Sequence, residues 1–193
     1  MGSLTQKERS VVIGTLLGDG YVRKVAGRRD AFLEINHTLK AKDYVDWKYS
    51  VLQSFSAGIP KVRKGRGTRM AYRFYTCQHP ELSDLHKQFY EGGKKQIPSI
   101  QLDPLMLAVW FMDDGSRCRD RDVYLNTQQF DVSDQRKLIA LLGDMGLVAT
   151  MNKDKTYYRL RFLKESVMKL NQIISPYIIP SMRYKLSYDP VET

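Results

Sequence analysis

An apolar run that ends in Asp-Gly occurs twice in this chain, as VIGTLLGDG from Val12 to Gly20 and as LAVWFMDDG from Leu107 to Gly115. Each reads as a helix that delivers one carboxylate, Asp19 or Asp114, just before the glycine that stops it. An aspartate at that end faces the negative pole of the helix dipole. Two such ends packed together repel by about 4 kcal/mol at roughly 4 Å and an effective dielectric of about 20. A hard divalent cation reverses that penalty, because Mg2+ takes carboxylate, carbonyl, phosphate and water oxygens. The pair therefore points to a fold that joins two matched helices around metal. Asp113 is a competing ligand, but only Asp114 shares the offset of Asp19; Gly18 stands opposite Asp113. Gly14 and Gly18, four apart, each cost a helix about 1 kcal/mol relative to alanine. Close approach of another backbone explains that cost. Val109 stands where Gly14 stands, so the approach is asymmetric.

The remaining sequence repeats the same order of parts. Helices are expected over 5–18, 40–54, 80–90, 104–113, 133–144 and 164–174. Between them, alternation and turn residues predict hairpins over 21–37, 59–75, 116–128 and 147–163, the last turning at Asn152–Lys155. LEIN, ending at Asn36, matches VYLN, ending at Asn126, and a lysine closes each half, Lys95 and Lys185. Such a repeat predicts an α+β molecule of two pseudo-twofold αββαββα halves, 1–92 and 104–193, joined by a linker over 93–103. Paired motif helices stand at its centre, and antiparallel sheets form a saddle.

Thirty-one basic against 21 acidic residues leave a net charge of +10 over 193 residues. That excess favours an anionic partner such as nucleic acid. Two cysteines without a CxxC pair argue against a disulfide framework or cysteine-based zinc site, and the three histidines show no close ligand spacing. No apolar run approaches a membrane span, and no signal-peptide core follows the start. The expected setting is intracellular: the cytoplasm or nucleoid of a microbe, or an organelle such as a mitochondrion. No membrane partner is expected.

The hairpins alternate basic and apolar residues. In the second, Lys61, Arg63, Arg69, Arg73 and Tyr75 are expected on one face, against Val62, Met70, Tyr72 and Phe74. In the fourth, Met151, Lys153, Tyr157, Arg159 and Arg161 are set against Val148, Tyr158, Leu160 and Phe162. Arg23, Lys24, Arg28 and Arg29 mark the first hairpin; Arg117, Arg119 and Arg121 mark the third. A basic face over an apolar core suits a β-ribbon in the major groove of double-stranded DNA. Lys and Arg on phosphates supply affinity, while arginine, Asn36, Asn126, Gln128 and Gln129 are candidates for reading bases.

The two Asp-Gly segments resemble the paired motifs of single-chain LAGLIDADG homing endonucleases of the intron-encoded type. The likeness extends over nearly the whole chain, including LNTQ at 125–128, KQIP at 95–98 and IIPSMRYKL at 178–186. It implies a monomer that makes a double-strand break with 3′ overhangs at a long pseudo-palindromic site, using Mg2+. Mn2+ or Ca2+ would fit the same site, with Ca2+ supporting binding but little cleavage. The resemblance assigns Asp19 and Asp114 to the essential acidic positions. It gives the backbone carbonyls of Gly18 and Asp113 to metal, and places Lys95 and Lys185 near the centre. Leu17 and Thr15 depart from the fullest form of the motif, and Val109 and Trp110 make the second helix bulkier. Two alternatives stand beside this reading: a maturase acting on host intron RNA, and a DNA-binding regulator without cleavage.

Overall fold

The computed structural model describes residues 2–65, 67–118 and 122–186. In the first half, α1 (Gln6–Leu17) opens with a reciprocal capping box between Thr5 and Glu8, which satisfies two backbone donors at the helix start. It is followed by β1 (Tyr21–Arg23), β2 (Phe32–Thr38), α2 (Lys42–Val51), β3 (Lys61–Lys64), β4 (Met70–Tyr75) and α3 (Pro80–Phe89). The helix expected over 40–54 is shorter, with 3-10 turns at Leu39–Ala41 and Gln53–Phe55 on either side. The stretch read as a linker is preceded by a small hairpin of β5 (Tyr90–Glu91) and β6 (Lys94–Lys95) that reaches into it.

The second half repeats the order with α4 (Pro104–Asp114), β7 (Gly115–Cys118), β8 (Asp122–Leu125), α5 (Val132–Asp144), β9 (Ala149–Asp154), β10 (Tyr157–Phe162) and α6 (Lys164–Ile174). Asp103 caps α4 by accepting from the Met106 amide, with Pro104 in the first turn, where a missing N–H costs nothing. The two sheets have matching antiparallel orders, β1-β2-β4-β3 and β7-β8-β10-β9. Pseudo-symmetry thus holds at the level of strand order.

Helices α1 and α4 form the seam between the halves. Residues Ser10–Leu17 and Met106–Met112 are buried all round, as expected of helices with no polar face. A Cβ on Gly18 would stand 2.5 Å from the Asp113 Cβ. The glycines are therefore there for close approach, and the approach is asymmetric: Gly14 meets Val109, and Gly18 meets Asp113.

Register decides which side chains face out. Pairing Asn36 with Arg73 and Arg73 with Lys61 sets these residues on one face with Arg63 and Tyr75. Val22, Leu33, Ile35 and Phe74 fill the other face, each at most 2% exposed. Arg69 lies in the turn before β4. In the fourth hairpin the expected faces need correction. Asp154 pairs with Tyr157, so the turn is Lys155–Thr156, with Lys155 at φ 56°. That two-residue turn pairs Lys153 with Tyr158 and Met151 with Leu160. Lys153 and Met151 therefore fall on the face opposite Arg159 and Arg161, and Asn152 and Thr150 take the positions expected of them.

Candidate active site

Asp114 ends α4, Asp19 lies two residues past the end of α1, and the Asp114 carboxyl feels the Asp19 charge. Asp114 is 8% exposed. Burial, then the charges of Asp113 and Asp19, push its carboxyl up to about 8. Its Oδ2 is buried with no hydrogen-bond partner among the described residues. Asp19 is also raised, by desolvation in the cleft first and the Asp113 charge second. A buried carboxylate oxygen without a donor, beside a second raised carboxylate, fits a divalent cation, whose charge would favour both ionised forms.

Two lysines close the centre in a matched way. Lys95, placed by β6, donates to the carbonyls of Gly18 (2.8 Å) and Gly20 (3.1 Å). Lys185 ends the 3-10 segment Pro180–Lys185 and donates to the carbonyls of Met112 (2.5 Å) and Asp113 (3.2 Å). Gly18 and Asp113 occupy the same motif offset, so each lysine ties down the end of its own half's motif helix. Burial lowers Lys95 to about 8 and also lowers Lys185. Gln129 reaches across from the second half to the Gly18 carbonyl at 3.2 Å.

Three residues at the centre were not expected from sequence. His37 lies on the inward face of β2 with Ile35, 3.8 Å from Asp19 and 3.6 Å from Asp113. Asp19, His37 and Asp113 offer ligand atoms within 4.8 Å of one another, so the expectation of no close histidine ligand set is corrected. Burial drives the imidazole down to about 4, which keeps it neutral. Lys48 and Asp113 form an ion pair at 2.9 and 3.1 Å, and neither side chain has any exposure. Tyr44 packs its ring 4.3 Å from the ammonium and donates its hydroxyl to the Val109 carbonyl. The signals were present in the pattern: His37 keeps the β2 alternation, and Lys48 continues the Tyr44–Val45 stripe of α2 at helical spacing.

The other candidates divide by what already holds them. Asn36, Lys61, Arg63, Arg73 and Tyr75 line the outer face of the first sheet. Arg23 shares that face, 2.7 Å from Glu34, whose other oxygen is 3.8 Å from Arg73. Lys24 and Arg28 lie in the β1–β2 turn, where Arg29 pairs with Asp30 at 2.9 Å. Arg159 stacks over Tyr124, and Arg161 pairs with Asp122 at 2.6 Å. Arg117 donates to the Leu186 carbonyl. Asn126 donates 2.8 Å to the Asp114 carbonyl, and Gln128 to Asp154. Arg119 and Arg121 lie outside the described residues.

Matched sheets, a buried helix seam and paired aspartates at its ends define a two-motif, metal-dependent nuclease contained in one chain. The chain belongs to the LAGLIDADG DNA endonuclease family, whose model matches residues 9–170. It is 28% identical over 196 residues to the cytochrome b mRNA maturase bI2 of Debaryomyces hansenii, covering 95% of this chain and 74% of that protein. It is 27% identical to the probable intron-encoded endonuclease 1 of Wickerhamomyces canadensis, covering 97% and 87%. Among solved structures, the homing endonuclease I-WcaI bound to its DNA recognition sequence matches with a TM-score of 0.88 at 25% identity, covering 98% of this chain and 89% of that one. Against the Saccharomyces cerevisiae maturase bI2, the chain spans 48% of the relative's length.

Proposed function

We propose that the chain is a monomeric homing endonuclease that cuts both strands of a long, pseudo-palindromic DNA site, leaves 3′ overhangs and initiates intron homing. The observation that carries this reading is the Asp114 carboxyl, raised by burial and by the charges of Asp113 and Asp19, with its Oδ2 buried and without a donor among the described residues. I-WcaI is bound to its DNA recognition sequence, and two basic sheet faces here supply a surface that suits double-stranded DNA. A microbial interior or an organelle is the setting that suits an intron-encoded relative.

Asp19 and Asp114 would hold Mg2+, with the carbonyls of Gly18 and Asp113 completing the oxygen set. A bound divalent ion supplies an acidified water and charge for the scissile phosphate and the leaving 3′ oxygen. Lys95 and Lys185 bring positive charge to the same centre, where it neutralises phosphate or orients a water. Arg63, Lys61 and Arg73 on one sheet, and Arg159 and Arg161 on the other, hold the duplex by its phosphates.

The test is a cleavage selection on a randomised library of duplexes about 20 base pairs long, with Mg2+ and then with a chelator. Enrichment of metal-dependent breaks at one long sequence is the expected result. Asp19→Asn and Asp114→Asn should each abolish cleavage and keep binding, and full cleavage by both would remove this assignment. A second reading rests on the likeness to the bI2 maturases: assistance to splicing of a host intron RNA. Binding and splicing of intron RNA without DNA breaks would favour it.

A further inference from the structure

The pseudo-twofold makes departures from symmetry visible. Asn36 and Asn126 are separated by 90 residues, and the same offset lays α2 on α5. Buried Tyr44, Val45, Lys48 and Leu52 then match buried Asp134, Gln135, Leu138 and Leu142. Lys48 stands where the other half has Leu138. On the motif helices, Asp113 stands where the first has Gly18. His37 falls at the position of Thr127, which faces Gln135 in the second half. One corner of the centre thus carries Lys48, Asp113 and His37 where its mirror position carries Leu138, Gly18 and Thr127.

The charges of that corner are matched within the protein. Both Asp113 oxygens accept from the Lys48 ammonium. The carboxylate points into the seam against Gly18, 2.7 Å from where a Cβ there would stand. An oxygen with no exposure, already bound to an ammonium, is poorly placed for an ion that must also touch a DNA phosphate. Asp19, beside it, has a side chain 56% exposed.

We propose that Lys48 is a positioning residue, a fixed internal counter-cation that keeps the Asp113 carboxylate from divalent metal and makes the two half-centres unequal, so that the two DNA strands are cut at different rates. The strand-rate part rests on the nuclease reading above; the counter-cation part does not. Removing Lys48 alone leaves a buried, unpaired carboxylate, a strongly destabilising change. A divalent ion can then take the place of the ammonium. Removing Asp113 as well abolishes that site and the penalty together, while the residue-113 carbonyl remains.

Thermal melts of the wild type, Lys48→Met and Lys48→Met/Asp113→Ala, each in EDTA and in Ca2+, test the first part without any turnover. Lys48→Met should melt lower in EDTA and gain more from Ca2+ than the wild type. The double variant should recover in EDTA and lose the extra Ca2+ gain. A Ca2+ gain in Lys48→Met no larger than in the wild type overturns the counter-cation role. If Lys48→Met does not fold in EDTA, failure of Ca2+ to restore a cooperative melt overturns it equally. For the second part, duplexes labelled on one strand or the other report each nicking rate in Mg2+. A several-fold difference in the wild type, narrowed in the double variant, is the expected outcome. Equal strand rates in the wild type, or a ratio the double variant leaves unchanged, would overturn the inequality while the nuclease reading stands. No cutting of either strand would overturn the nuclease reading and the strand-rate part with it, and the Ca2+ melts would still decide the role of Lys48.

Discussion

Gly14 makes room for the Met106 carbonyl: a Cβ on Gly14 would stand 2.6 Å from that backbone oxygen. In an isolated helix, replacing this glycine with alanine would be favourable by about 1 kcal/mol. Here the contact reverses the sign, because main chain cannot rotate away as a side chain can. Gly14→Ala should destabilise by about 1–3 kcal/mol, read as a lower denaturation midpoint with an unchanged slope. A midpoint at or above that of the wild type would mean that α1 and α4 slide apart freely.

Asp114 supplies a pH dependence that metal should erase. Its folded value near 8 lies above its ordinary 3.8. Between those values the folded state holds the extra proton, so stability falls as pH rises. His37, lowered from 6.5 to about 4, acts oppositely, adding stability as pH rises through that window. From about pH 6.5 to 7, above the window of His37 and below the folded value near 8 of Lys95, metal-free protein should lose thermal stability as pH rises. Asp114→Asn should flatten that slope, and Ca2+ should stabilise the wild type more than the variant. Melting curves at three pH values check it.

Lys95→Met and Lys185→Met remove a charge from opposite sides of the centre. Cleavage should fall by about 100-fold in each, the order expected when a positioned polar or proton-transferring group is lost. Binding to the selected site in Ca2+ should change little. Single-turnover rates beside binding isotherms separate the two effects; a loss confined to binding would make both lysines phosphate anchors only.

On the sheet face, free charge should count for more than paired charge. Arg63 is exposed with no ion pair among the described residues, whereas Arg29 is held by Asp30. Arg63→Ala should reduce the salt slope of DNA affinity by about 1. Arg29→Ala should reduce it by less. Affinities at several salt concentrations decide the order.

Much of this architecture was legible because it rests on local pattern. Apolar runs closed by Asp-Gly located α1 and α4, alternation located the strands, and repetition paired the halves. What sequence hid was set by register and by contacts across the seam. Lys153 was placed on the wrong face because odd-numbered residues of both strands were grouped together, whereas the two-residue turn at Lys155–Thr156 pairs odd with even, Lys153 with Tyr158. Lys48 keeps the helical spacing of the buried Tyr44–Val45 stripe, but that spacing does not say what neutralises it. Its partner Asp113 is 65 residues away, a distance over which periodicity carries no information. His37 was legible as inward-facing but not as adjacent to Asp19, since that depends on how the sheet drapes over the helix ends.

The buried pair of Lys48 with Asp113 also makes the two halves non-interchangeable. A dimer of two first halves would bury two ammonium groups facing glycines. A dimer of two second halves would bury two facing carboxylates with leucines for company. Neither could close its seam without an uncompensated charge. With this pair in place neither half can stand in for the other, and each is the other's complement.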